Sequence, residues 1–272
     1  MTLQKYPRTQ HLSGSNLSEG DEDLTQVPFS QIAGRHIVIE CKMDGSNSAI
    51  SYSPEWTQQL QSRGHYLTGG PREKEFNILK LWAARHSEAF LDILTDRYIM
   101  YGENMFAKHT EFYDKLPHYF MEFDILDTQE GTYVNGEGKE QQGSWLSTPR
   151  RWEMLKNVPV VPVLVLFQGK LDKMEDLIAF LGNSRFKTEH NEKNLELQAL
   201  KVGYDLEKAK KETSLSALME GLYVKVEEDG VVKERYKYVR GGFLQLIQNS
   251  DSHWHERTII PNILAKGIDI FS

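Results

Sequence analysis

The chain has 272 residues, a formal net charge of −7 and a single cysteine, Cys41. That length carries one large domain or two small ones, and one thiol excludes a disulfide framework and any multi-cysteine zinc or iron–sulfur site. The acidic balance excludes a grip on nucleic acid by bulk charge, though not a local basic groove.

Residues 1–26 are polar and Ser/Gly-rich and read as a flexible lead-in with no signal or transit pattern. No apolar run approaches the roughly 20 residues of a membrane helix, so no membrane contact is expected. A reducing, cytoplasmic setting is the expectation. His36 to Lys42 reads as a strand and Ser46 to Tyr52 as its return, with Asp44-Gly45 turning a hairpin. Phe76 to Ile93 has helical spacing. Tyr98 to Glu103, Tyr119 to Leu126 and Val160 to Phe167 read as strands. Leu171 to Leu181 and Asn194 to Glu220 read as helices, the second broken near Val202-Gly203. Leu222 to Val226 and Val231 to Tyr238 form a second hairpin about Asp229-Gly230. Antiparallel strands with helices between them predict an α+β fold.

Four segments place charged side chains on or beside strands in apolar surroundings: Glu40 to Asn47, Tyr101 to Asn104, Glu220 to Lys225 and Arg235 to Arg240. Lys42, Lys225 and Lys237 can converge from neighbouring strands, as can Glu103 and Glu220. Three cations with two carboxylates suit an anionic ligand bridged by Mg²⁺.

These segments resemble the motifs of the covalent nucleotidyltransferase superfamily, and within it the ATP-dependent RNA ligases. Lys42-Met43-Asp44-Gly45 is similar to the nucleophile motif Lys-x-Asp-Gly, and Ser62-Arg63 to the segment that follows it. Tyr101-Gly102-Glu103 resembles the third motif. Phe120 to Asp124 resembles the strand that sets an aromatic residue against the adenine, and Glu220 to Lys225 the fourth motif. Arg235-Tyr236-Lys237 stands where the fifth often has Lys-x-Lys. Six segments in order are a far stronger signal than any one, since Asp-Gly alone is a generic turn.

The resemblance implies an α+β nucleotidyltransferase domain, ATP-grasp-like, of antiparallel sheets with flanking helices. It would span 27–247, with a helical insert at 170–218 and a closing segment at 248–272. It implies ATP and Mg²⁺ or Mn²⁺ as cofactors. Lys42 would be the nucleophile, with Lys225 and Lys237 beside the phosphate. Glu40, Asn47, Arg63, Glu103 and Phe123 would bind the nucleotide, and Glu220 and Glu103 the metal. The implied substrate is RNA with 5′-phosphate and 3′-hydroxyl ends, prepared where needed by a kinase or phosphatase partner. Arg63 is expected on the terminal RNA phosphate.

Family DNA ligases and capping enzymes carry an oligonucleotide-binding barrel after the fifth motif. Only 32 residues follow Arg240, too few for five strands and their turns. RNA ligase is therefore preferred over those two branches. A non-catalytic nucleotide- or RNA-end-binding domain is the alternative of another class.

Only about one lysine in a few thousand is neutral at pH 7, and a shift of its pKa close to 7 takes roughly 4–5 kcal/mol. Neighbouring cations and burial are expected to supply it. Other residues carry duller expectations. Cys41 reads as inert packing. His253 and His255 lack a third metal ligand. Lys208 to Lys211 reads as a solvated face, and Arg150-Arg151 as solvated or as a phosphate contact.

Overall fold

The computed structural model describes residues 3–17, 25–135, 138–243 and 258–272. In chain order the strands are β1 (Gln10–His11), β2 (Ile37–Lys42), β3 (Ser46–Tyr52), β4 (Gln58–Ser62), β5 (Tyr98–Asn104), β6 (Phe120–Val134), β7 (Glu140–Trp145), β8 (Val161–Pro162), β9 (Val165–Gly169), β10 (Gly221–Glu228) and β11 (Val231–Val239). The helices are α1 (Asn77–Arg85), α2 (Ser87–Leu94), α3 (Thr148–Leu155), α4 (Met174–Ile178), α5 (Asn191–Lys201) and α6 (Leu206–Lys211).

Two sheets form the frame. The first has the order β1-β11-β10-β2-β9 and the second β4-β3-β5-β6-β7, with β8 added to β6. All pairs are antiparallel except β1 with β11 and β8 with β6. The expected α+β class with antiparallel sheets is what the chain adopts, and neither sheet closes into a barrel. No helix among the described residues is long and apolar enough to cross a membrane.

Asp44-Gly45 does not turn a hairpin. β2 pairs with β10 and β9 in the first sheet, whereas β3 pairs with β4 and β5 in the second. The three residues between them cross from one sheet to the other. The segment read as one strand over 160–167 makes a second crossing, since β8 joins β6 and β9 joins β2. Pro162 lacks the N–H to continue a ladder. Asp229-Gly230 is a true hairpin turn: both residues have positive φ, 53° and 76°, the conformation such two-residue turns require.

The helix read over 76–93 is two helices broken at His86, packed on the second sheet through Trp82, Phe90, Met100, Phe120 and Ile125. Over 170–218, only Met174–Ile178 of the first expected helix forms, and the second stops at α5 and α6 with the expected break at Gly203, φ 69°. β4, β7 and α3 carry no expectation above. β4 is Gln-rich and lacks apolar alternation, whereas Ser147-Thr148-Pro149 is a legible helix start.

The lead-in is corrected over residues 3–17: Gln10 and His11 form an edge strand on β11, and Leu12 is fully buried. Its apolar and aromatic side chains gain a place only once both sheets exist. The described part of the closing segment packs onto the body, with Asn262 donating to the Met105 carbonyl and Ile270 in the core under α1 and α2.

Candidate active site

The site follows from the register of β2, β10 and β11. Lys42 lies opposite Gly221, Glu40 opposite Tyr223 and Val38 opposite Lys225. Tyr223 in turn lies opposite Lys237, and Lys225 opposite Arg235. Side chains alternate along a strand, so Glu40, Lys42, Tyr223, Lys225, Arg235 and Lys237 share one face. Ile37, Ile39, Cys41, Leu222, Val224 and Val226 share the other and form apolar core. The charged face meets the second sheet across a cleft of about 1590 Å³. Lys42, Asn47, Arg63, Glu103, Phe123 and Lys237 all line that cleft.

Lys42 ends β2 with its Nζ 2.5 Å from Glu220 Oε1. The turn after it is pinned on both sides. Asp44 Oδ2 accepts from the backbone N–H groups of Thr110 (2.7 Å) and Glu111 (2.6 Å). The Gly45 N–H donates to Glu103 Oε1 at 3.1 Å. A Cβ at Gly45 would lie 2.5 Å from the Asn104 carbonyl oxygen. This glycine is thus required by the close approach of β5.

The residues around Lys42 do not by themselves supply the expected shift. Burial disfavours the charged amine, but the carboxylates of Glu220, Asp44 and Glu103 outweigh it and hold Lys42 above the ordinary lysine range. In the ligand-free protein Lys42 is therefore an ammonium ion. Burial pushes the Glu103 carboxyl up to about 7, against the pull of Lys42 and His109. The Glu220 carboxyl is pushed up by the same cause, and its Oε2 is buried without a hydrogen-bond partner.

Two desolvated carboxylates beside one ammonium suit a divalent cation, which would supply the charge they lack. Among the described residues no group of three or more His, Cys, Asp or Glu side chains could hold a metal by itself. Mg²⁺ is commonly held by one or two carboxylates together with substrate phosphates. Glu103 and Glu220 fit that part.

Lys225 is placed elsewhere than expected. Its side chain is fully buried, with Nζ 2.8 Å from Glu40 Oε2 and 3.3 Å from Asp124 Oδ1, and it also donates to the Phe123 carbonyl. Glu40 is occupied on its other side by Arg151 Nη2 at 2.8 Å. Arg151 also binds Glu122 at 2.8 Å, and Arg235 binds Asp124 at 2.9 Å while lying 4.2 Å over the Trp145 ring. Six charges thus pair off under the cleft, three of each sign. Arg235 and Lys225 outweigh burial and hold the Asp124 carboxyl well below the carboxylate range. Lys225 and Glu40 belong to this buried network, in which Glu40 also lines the cleft and Lys225 does not. Arg151 is neither solvated nor a phosphate contact, because α3 delivers its guanidinium into the interior.

Phe123 is half-buried, its ring centroid 5.1 Å from that of Tyr6. Arg63 is exposed in the loop after β4, on the cleft rim. Asn47 has a buried Oδ1 without a partner. Tyr6 and His109 were missed in the sequence, and Arg151 and Asp124 were named there without their part in the buried network. His109 Nε2 lies 3.1 Å from Ser46 Oγ in the same cleft. A lone histidine or a tyrosine in a polar leader carries no spacing signal, whereas Asp124 follows the aromatic position of a recognisable strand. Cys41 is core packing as expected, and burial pushes its thiol up to about 12. Lys210 bridges Glu192 and Glu196 on α5, which accords with a solvated helix face. His253 and His255 lie outside the described residues.

The family profile described as RNA ligase matches residues 35–239, well over half of the chain. Comparison with curated proteins gives no match. Among solved structures, a Naegleria gruberi RNA ligase variant with ATP and Mn is 17% identical, at a TM-score of 0.48 over 90% of this chain and 62% of that one. A second variant of that ligase with ATP and Mn is 16% identical, at 0.49 over 89% and 61%. A putative ATP-dependent DNA ligase from Aquifex aeolicus is 14% identical, at 0.45 over 90% and 52%. The chain therefore spans about three fifths of the length of the Naegleria structures and half of the Aquifex one. The profile runs from two residues before β2 to the end of β11 and takes in Lys42, Glu103, Phe123, Glu220 and Lys237. On that match the chain belongs to the RNA ligase family.

Proposed function

We propose that the protein is an ATP-dependent RNA ligase that joins 5′-phosphate and 3′-hydroxyl ends through a lysyl-AMP intermediate on Lys42. The observation that supports this most is Lys42 at the end of β2, in the cleft between the sheets, beside Glu220 and with Glu103 on the facing strand. A binding module needs no such lysine.

In the first step Lys42 Nζ, once neutral, forms a bond to the α-phosphorus of ATP as the α–β phosphoanhydride breaks and pyrophosphate leaves. A divalent cation held by Glu103 and Glu220 would neutralise the carboxylates that keep Lys42 protonated and so lower the cost of its neutral form. Lys237, on the same face as Lys42, opposes the charge growing on the non-bridging oxygens. Phe123 offers the base an aromatic wall, and Asn47 a buried acceptor without a partner. AMP then passes to the 5′-phosphate of RNA, with Arg63 placed on the rim to fork that phosphate. Attack by the 3′-hydroxyl closes the phosphodiester and releases AMP. Ends of other chemistry would first need a kinase or phosphatase.

Incubation with α-labelled ATP and Mg²⁺, followed by denaturing electrophoresis, tests the reading. Wild-type protein is expected to carry label and folded Lys42→Ala to carry none. Label that persists in Lys42→Ala moves the nucleophile elsewhere. Wild-type protein that binds ATP without labelling favours the binding module.

A further inference from the structure

Residues 4–12 cross the cleft from one sheet to the other. At the second sheet, the Gln4 carbonyl accepts from Gln61 Nε2 (2.8 Å) and from the Tyr101 hydroxyl (2.7 Å). At the first, β1 pairs with β11, and the Leu12 N–H donates to the Lys237 carbonyl at 3.0 Å. Thr9 Oγ1 lies 2.8 Å from the Tyr223 hydroxyl. Between these anchors Tyr6 inserts its ring into an aromatic cage, 5.3 Å from Tyr101, 5.1 Å from Phe123 and 5.3 Å from Trp145, centroid to centroid. Its hydroxyl donates to Asp124 Oδ2 at 2.5 Å and lies 2.8 Å from the Tyr223 hydroxyl. Tyr6 and its neighbours Lys5 to Thr9 line the same cleft as Lys42.

We propose that Tyr6 is a positioning residue of the nucleotide site: it locks the Phe123 ring in the orientation that receives the purine base. The inference rests on Phe123 being the base-stacking residue of the function proposed above. The physical basis is twofold. The Tyr6–Phe123 contact is T-shaped, at 78° between planes, a favoured arrangement of ring quadrupoles. The hydroxyl is bound to Asp124, the residue next to Phe123, so ring and backbone of the wall are held from one side chain. A wall locked before binding loses less conformational freedom when the base arrives, and the gain appears as affinity. A strut that merely held the sheets together would lower stability and leave the affinity of the folded protein unchanged.

The test uses the full chain and ATP. In adenylylation assays, Tyr6→Ala is expected to raise the KM for ATP about tenfold while kcat falls less than threefold, and Tyr6→Phe, which keeps the ring contact and loses the Asp124 bond, to recover part of the loss. In the Lys42→Ala protein, which holds ATP without covalent reaction, hydrogen–deuterium exchange over residues 4–12 is expected to slow on ATP addition. This second measurement decides the matter should Tyr6→Ala not fold. An unchanged KM in folded Tyr6→Ala, or exchange over 4–12 that ATP leaves untouched, overturns the proposal alone. Absence of any ATP binding by wild-type protein overturns it together with the function on which it rests.

Discussion

Arg151 donates to Glu40 and to Glu122, at 2.8 Å each, from a side chain with no exposure to solvent. Its truncation leaves Glu122 buried without its partner and Glu40 with Lys225 alone. Removing one partner of a buried ion pair costs about 3–5 kcal/mol, because the remaining charge stays desolvated. Arg151→Ala is therefore expected to lose about that much stability in urea unfolding, and the loss should precede any defect specific to RNA. A variant as stable as wild type that transfers AMP slowly would return Arg151 to a phosphate. The sequence showed Arg150-Arg151 as a pair of adjacent cations. Which of the two turns inward depends on the phase of α3 against the body, and a pair of neighbours does not carry that phase.

β2 shows how one strand serves two environments. Glu40 and Lys42 face the cleft, and the Cys41 side chain between them is buried in apolar core. Burial raises the Cys41 thiol to about 12, and thiolate is the reactive form. Iodoacetamide at neutral pH is expected to leave the folded protein unmodified, and labelling should track global unfolding as urea is added. Rapid labelling of native protein would show a thiol open to solvent instead. The alternation of β2 was legible from its residues, as was the hairpin of β10 and β11. The partners of β2 were not. Asp44-Gly45 satisfies the composition of a tight turn, yet the crossing is held by distant groups: the N–H donors of Thr110 and Glu111, the Tyr113 hydroxyl and the Glu103 carboxylate.

At the scale of the whole molecule, two buried groups give stability opposite dependences on pH. His118 packs on Trp82 with ring centroids 4.6 Å apart, and burial pushes its pKa down from 6.5 to about 4. The unfolded chain binds the proton first, so this contribution is present above about 6.5 and is lost as pH falls through about 4. Glu103 behaves conversely. Its pKa is raised from 4.5 to about 7, so its contribution is complete below 4.5 and lost as pH rises through 7. His118→Gln is expected to flatten the acid-side decline by about 2–3 kcal/mol, and Glu103→Gln to flatten the loss toward neutrality. Urea unfolding of the three ligand-free proteins at pH of about 4, 6 and 8 checks both signs. If neither variant changes its slope, these two groups do not govern the profile.

The sequence by itself determined the class of fold, the strands that carry the charged motifs and the order of those motifs along the chain. Those properties are local: strand alternation, turn composition and residue spacing need no partner to be read. It also put Lys42, Glu103, Phe123 and Lys237 in one cleft, because the motif order implies their convergence. Tertiary structure decided which charges line the cleft and which are sealed beneath it. Lys225 and Lys237 are both cationic residues on one face of the same hairpin, but Lys225 lies where Glu40 and Asp124 close over it, whereas Lys237 opens to the cleft. The lead-in was decided in the same way. Tyr6 has no apolar stripe around it in the sequence, and its place depends on a cage built from Tyr101, Phe123 and Trp145. Those residues lie about a hundred positions or more downstream, and they come together only when the two sheets pack.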